Sequence, residues 1–240
     1  MDFGLQLYSV KDFMVQSVED TIKQVAEMGY TLVEPAGFFD KSAKEFKEIC
    51  DKYSVKICST HTSHGNLLND GYKTWLPFHK TLECETFVSP SSSFATKENL
   101  DKTIDSFNQC QKLCKEYGIE FMYHNHFGEF LPNKDGLIPH IEMQKRTDIR
   151  FQIDVYWVYR AGLNPLYILE QLGDRVGAIH LKDGTMENGT PLGQGDLDIP
   201  AIIKWAKSRN LPMVVENEPT AERQMIEAKE CIDYLKGLEI

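Results

Sequence analysis

The stretch FMYHNHFGEF, residues 121–130, sets two histidines either side of an asparagine directly after a short apolar run. Side chains alternate along a strand, so His124 and His126 share one face. The same alternation pairs His180 with Lys182 in VGAIHLKD and Glu216 with Glu218 in PMVVENE. Asp154, between Ile153 and Val155 in RFQIDV, is a carboxylate that needs a partner wherever its neighbours are buried. If their strands converge, His124, Asp154, His180 and Glu216 form a mixed nitrogen and oxygen donor set. Such a set suits Mn²⁺, Zn²⁺, Co²⁺ or Fe²⁺ better than Ca²⁺, with Mg²⁺ a further candidate. Glu34, the last residue before the proline of TLVEP, and His61, which ends VKICSTH, stand at corresponding positions. A lone histidine near a strand end is more often a hydrogen-bonded structural residue than a ligand, and Asp154 is the strongest single residue of the set. Four runs ending this way are what set the group apart from any one of its members.

Those side chains need elements to gather them. Short apolar runs fall at 3–9, 31–35, 55–61, 86–90, 120–126, 150–155, 176–183 and 212–218. Helical spacing of apolar residues falls between them, at 17–29, 42–53, 98–118 and 199–210, with weaker patterns near 70–83, which contains Pro77, and near 137–145. Ser17 and Asp20 resemble a capping box, and Gly29 supplies a stop. Eight strands alternating with helices in 240 residues predict an α/β fold, the (β/α)8 TIM barrel, as a single domain over residues 1–240. A doubly wound open sheet is the alternative, but LQLYSVKD lacks its Gly-rich first turn. In a barrel the carboxyl ends of the strands form one rim, and strands five to eight are neighbours around it. Four scattered residues thereby become one expected cluster.

Composition narrows the field. A net charge of −10 argues against nonspecific attraction to nucleic acid. The six cysteines include no CxxC pair and read as reduced thiols, with Cys110 and Cys114 half-buried on one helix face. No run reaches the length of a membrane span, and MDFGLQLYSV lacks the pattern of a signal peptide, so a cytoplasmic protein is expected. In PLGQGDLDIP, residues 191–200, Gly193 and Gly195 would let backbone N–H groups approach a ligand such as phosphate, although a tight turn is the default, and Asp198 is placed to cap the next helix. Trp157, in VYWVYRAGLNP, offers an aromatic face of the kind that borders carbohydrate sites.

Read in order, GLQLYSVKD, YHNHFGEF, IDVYWVYRAGLNP, IHLKDG, PLGQGDLDIPAII and VVENE resemble the xylose isomerase-like TIM barrel superfamily. The likeness is nearest to its sugar phosphate isomerase/epimerase and inosose dehydratase branch. It implies a divalent metal held at strands five to eight and a sugar, keto-sugar or cyclitol substrate. Asp154, His180 and Glu216 match the ligand positions of strands six, seven and eight. Strand five departs from the epimerase pattern, because His124 stands where a glutamate is expected; inosose dehydratase-like members also look histidine-rich there. An epimerase uses two carboxylates on opposite faces of its substrate, and a metal-bound histidine has no lone pair left to act as a base. The implied reaction therefore has one base. His126 or Glu216 takes a proton next to a carbonyl, and Lys182 or His61 assists the departing oxygen. Glu34, His61, Trp157 and Glu218 are the expected substrate contacts. Dehydration or β-elimination is favoured. Aldose–ketose isomerisation stays open, epimerisation returns if Glu129 reaches the site, and a non-catalytic sugar-binding barrel is the alternative outside enzymes. An apurinic endonuclease would need more ligands and a basic face. The partners expected are a small sugar or cyclitol, no nucleic acid and no membrane, with a homo-oligomer left open.

Overall fold

The structure, a computed structural model, describes residues 2–239. Eleven strands occur among them: β1 Gly4–Gln6, β2 Leu32–Glu34, β3 Lys56–Ile57, β4 Thr60–His61, β5 Thr86–Ser89, β6 Glu120–His124, β7 Arg150–Asp154, β8 Val176–Leu181, β9 Asp183–Gly184, β10 Gly189–Thr190 and β11 Met213–Val215. Nine pair in parallel in the order β3-β2-β1-β11-β8-β7-β6-β5-β4, and β9 with β10 make a small antiparallel hairpin. Helices follow the strands and cover the outside, so the chain is a single-domain TIM barrel of the expected class.

The expected third strand, 55–61, is one strand in two pieces. β3 pairs with β2, while β4 pairs with β5 on the other side. The backbone turns at Cys58–Ser59, and the ring is drawn together there by His61 N donating to the Pro35 carbonyl at 2.9 Å. The first strand stops at Gln6, short of residue 9, because the Gln6 side chain accepts from Tyr8 N and caps a 3-10 turn over Leu7–Val10. The eighth ends at Val215, although Glu216 N still donates to the Leu181 carbonyl.

Helix starts follow local chemistry. Ser17 accepts from Asp20 N ahead of Val18–Met28, and Gly29 ends that helix at φ 106°, a left-handed conformation that glycine adopts without strain. Ser42 and Glu45 make a reciprocal capping box before Ala43–Lys52. Asp198 accepts from Ala201 N before Ile199–Ser208. Pro77 lies inside Tyr72–Thr81. Cys110 and Cys114 are fully buried on Lys97–Glu116, deeper than their spacing suggested, and burial pushes the Cys110 thiol up to about 12. They are packing residues. No helix among the described residues is long and apolar enough to cross a membrane.

Candidate active site

The floor of the rim is built around one carboxylate. Glu34, at the end of β2, has no exposed surface. Its Oε1 accepts from Gln6 Nε2 at 2.6 Å and His180 Nε2 at 2.7 Å, with His61 Nε2 at 3.1 Å. Its Oε2 accepts from Gln152 Nε2 at 2.6 Å and from the Ser59 hydroxyl. Burial works against the charge, but the His61 and His180 rings and these hydrogen bonds overcome it and hold the carboxyl well below its usual range. Glu34 therefore lies beneath the cleft, committed to histidines and amides. Gln152 Oε1 also meets His61 Nε2 at 2.7 Å.

Above this floor stands the predicted cluster. His124, Asp154, His180 and Glu216, from the ends of β6, β7, β8 and β11, each offer an atom, and these atoms lie within 4.8 Å of one another. His180 Nδ1 faces Glu216 Oε2 at 2.8 Å, while its Nε2 faces Glu34. Burial opposes a charged imidazole, but these two carboxylates hold His180 up to about 10. Burial drives the His124 imidazole the other way, well below its ordinary value, and the neighbouring His180 and His61 rings add to this. Burial raises Asp154 to about 7 against the pull of Lys182 and His180. Glu216 is held well below the usual range, against its burial, by Lys182 and His180.

Asp154 Oδ1 accepts from Trp157 N at 2.9 Å, capping the short helix Val155–Arg160, but Oδ2 has no partner. His124 Nδ1 is buried and also has none. Buried polar atoms are rarely left this way. Two orphaned donor atoms, one nitrogen and one oxygen, beside a second histidine and a second carboxylate, are what a divalent transition metal would satisfy. His61, His124 and His180 also place ring nitrogens within 4.8 Å of one another, but His61 Nε2 is already engaged by Gln152 and Glu34. The four-residue set is the better fit.

A cleft of about 510 Å³ opens over the cluster, lined by His61, His124, His126, Glu216, Glu218 and Tyr8 among others. The His126 ring lies 5.1 Å from that of His124 and 5.6 Å from that of Trp157. Burial lowers the His126 imidazole from its ordinary value, which favours its uncharged form. Lys182 donates its Nζ to Glu218 and sits 4.6 Å from the Trp157 ring centroid. Glu129 does not come to the cleft: its carboxylate accepts from the Tyr123 hydroxyl and from His126 N.

The glycine turn holds a surprise. Asp183 is buried, and its carboxylate accepts from Gly193 N at 2.9 Å, Gly195 N at 3.2 Å, Leu197 N at 3.2 Å and Gly184 N at 2.8 Å. The N–H groups that a phosphate would need are spent on an anion the chain supplies itself. A Cβ on Gly195 would lie 2.2 Å from Asp183 Oδ1, which explains the glycine.

Sequence reasoning missed the amides. Asn125 Oδ1 accepts from Asp154 N at 3.1 Å and its Nδ2 donates to the Asp154 carbonyl at 3.3 Å, locking the end of β6 to the end of β7. Gln6, Ser59 and Gln152 complete the floor. The signal available was polarity in otherwise apolar strands: Gln152 interrupts RFQIDV and is completely buried.

A model of the xylose isomerase-like TIM barrel matches residues 22–237. The inosose dehydratase of Mesomycoplasma hyopneumoniae (strain 7448) is 23% identical over 267 aligned residues, spanning 92% of this chain and 89% of that protein. The crystal structure of a sugar phosphate isomerase/epimerase from Parabacteroides distasonis superposes with a TM-score of 0.86 at 25% identity, covering 99% of this chain and 98% of the other. The apo 3-keto-D-glucoside 4-epimerase of E. coli gives a TM-score of 0.76 at 15% identity over 99% and 100% of the two chains, a likeness of fold.

Proposed function

Because the chain belongs to the xylose isomerase-like TIM barrel family, we propose that its rim is a metal-dependent active site that removes a proton next to the carbonyl of a keto-sugar or cyclitol and expels the β-oxygen. The chain is an enzyme of the sugar isomerase, epimerase and dehydratase kind. The observation that carries the finer reading is the pair of partnerless atoms, Asp154 Oδ2 and His124 Nδ1, within a four-residue donor set.

His124, Asp154, His180 and Glu216 would hold the ion. When bound, it supplies Lewis acidity to a carbonyl and its neighbouring hydroxyl. The chain's own groups do the rest. Glu34, holding Nε2 of His180, fixes that ring so that its Nδ1 faces the cluster. His126, neutral and facing the cleft, is the base best placed to take the α-proton, and Glu216 is the alternative. Lys182 stays protonated: burial opposes its charge, but Glu216, Asp154 and Glu218 raise it above its ordinary value. It is therefore an acid for the departing oxygen. The Trp157 face borders this side of the rim and suits the apolar face of a sugar ring.

Epimerisation asks for a second base on the opposite face of the substrate. Glu129, the nearest candidate in sequence, is bonded to Tyr123 and to the His126 backbone. Glu129 is therefore not that second base, and the preference for elimination rests on His124 standing at the strand-five position. It also fits the name of the inosose dehydratase relative.

The test has two arms. Metal content measured on the purified protein is expected near one equivalent, falling at least tenfold in His124→Ala and Asp154→Ala; stoichiometric metal in both variants would remove the ligand assignment. Inososes, 3-keto-glucosides and ketohexoses are then incubated in D₂O. Loss of water or aglycone is expected, and deuterium incorporation without either loss would overturn elimination.

A further inference from the structure

Beside the cleft lies a second chamber of about 320 Å³, and Glu218 lines both. The chamber belongs to the same rim, because its walls come from segments that follow β7, β8 and β11. Lys182, which bonds Glu218, lines it as well, so the ammonium stands at the junction of the two spaces. The first cleft alone is large enough for a small ligand. A lone six-membered polyol seated over the cluster would leave the second chamber to water.

Its walls have a definite chemistry. Tyr156 and Trp157 present aromatic surface, with ring centroids 5.3 Å apart. Asn188 and Asn217 bring amides, and Glu187 and Glu227 bring acceptors. Aromatic surface with amide and carboxylate hydrogen-bonding groups suits a neutral polyhydroxylated ring. The carboxylates of Asp183, Glu187, Glu218 and Glu227 outnumber the two cations of the chamber, Arg160 and Lys182, which disfavours a phosphorylated or carboxylated group, and the glycine turn nearby offers no free N–H nest, because Asp183 fills it.

Resting on the elimination reading above, we propose that this chamber binds the aglycone ring of a 3-keto-glycoside, so that the substrate is a keto-disaccharide or a comparable glycoside and not a free keto-cyclitol. The keto ring sits over the cluster, and the glycosidic oxygen lies at the junction beside Lys182 Nζ. The base in the cleft takes the α-proton. The electrons of that C–H bond form the ring double bond, and the C–O bond to the aglycone breaks with its electron pair going to oxygen. Lys182 protonates that oxygen, so the products are an enone sugar and a free hydroxylated aglycone. The protonated base and neutral lysine then exchange one proton through solvent, and no oxidant or reductant is consumed.

The experiment compares a 3-keto-disaccharide, methyl 3-keto-glucoside and a keto-inositol on the metal-loaded protein. A kcat/KM at least tenfold higher for the disaccharide than for the methyl glycoside is expected. Asn188→Trp and, separately, Glu187→Trp narrow the chamber from its exposed hairpin side and are expected to cut that ratio at least fivefold. Equal kcat/KM for the two glycosides, or a ratio untouched in both folded variants, overturns the chamber assignment while leaving elimination standing. Saturation-transfer NMR with methyl β-glucoside reads the chamber without turnover. Signal on the parent protein that drops in both variants supports the assignment even if no keto-sugar reacts, an outcome that would sink the elimination reading alone. No signal on the parent protein counts against the chamber.

Discussion

A proton must leave His180 before a metal can share its Nδ1 with Glu216. Both ring nitrogens face carboxylates, at 2.7 and 2.8 Å, and these hold the imidazole up to about 10. The metal-free protein therefore carries a proton that the proposed metal-bound state would lack, and acid is expected to weaken binding. Isothermal titration with Mn²⁺ or Zn²⁺ should show affinity falling about tenfold per pH unit as pH drops from 9 toward 7. Below about 7, where Asp154 also takes up a proton, the fall should steepen. A flat profile would mean that the metal does not compete at these residues. Glu34→Gln places an amide among the donors of Gln6, Gln152, Ser59 and His180, and removes the buried charge opposite the imidazole. Loss of about 3–5 kcal/mol in urea unfolding is expected, with metal affinity reduced about 10–100-fold. The four cluster residues were legible in sequence because each ends an apolar run, and the strand period fixes which way it faces. Glu34 was legible as a rim residue but not as the floor's centre. Its partner Gln152 lies 118 residues away, and no local pattern encodes that meeting.

Two segments behave differently from their sequence appearance. The 191–200 turn looks like an anion cradle and is one, closed around Asp183. Gly195→Ala forces a methyl group to within 2.2 Å of that carboxylate and 2.3 Å of Gly184 N. Faster amide exchange confined to 183–197 is the expected result by hydrogen-exchange mass spectrometry, together with no inorganic phosphate binding in the parent protein. Phosphate protection of this turn in the parent protein would contradict the closed arrangement. The third strand reads as one continuous run, yet β3 serves one neighbour and β4 the other. Apolar alternation reports which face is buried but not which strand lies alongside, so the break at Cys58–Ser59 was invisible. It has a use: the turn directs Ser59 inward to Glu34 and leaves His61 facing both the floor and the cleft. Strand ends were overestimated for a similar reason. Gln6 looks like one more strand residue until its side chain is seen capping the turn that follows.

At the scale of the whole molecule, acid is the natural denaturant. His140 is packed between Phe130 and Phe151 with neither ring nitrogen bonded, and burial pushes it down to about 3. His79, bonded to Thr60 by one nitrogen, is pushed down to about 4. A histidine whose folded value is depressed binds fewer protons folded than unfolded. Its contribution to stability is thus complete above its unfolded value of about 6.5 and is lost as pH falls toward the folded value. His140 alone accounts for on the order of 5 kcal/mol across that window. His140→Leu should flatten urea-unfolding stability between pH 6.5 and 4, and an unchanged slope would show that His140 is not the acid-sensitive group. The barrel itself was readable from eight apolar runs, because the core asks only for spacing and size. The polar plug inside it was not, because that depends on which strands close the ring. The plug has one further consequence. Glu34 joins side chains from β1, β2, the strand-three turn, β4, β7 and β8, so it fastens walls that lie across the barrel from one another. Glu216 and His126 face the cleft, in the roles proposed for them above. The Glu34 bonds hold the barrel and not a substrate, so a relative without the proposed reaction is expected to keep the floor even where its rim residues differ.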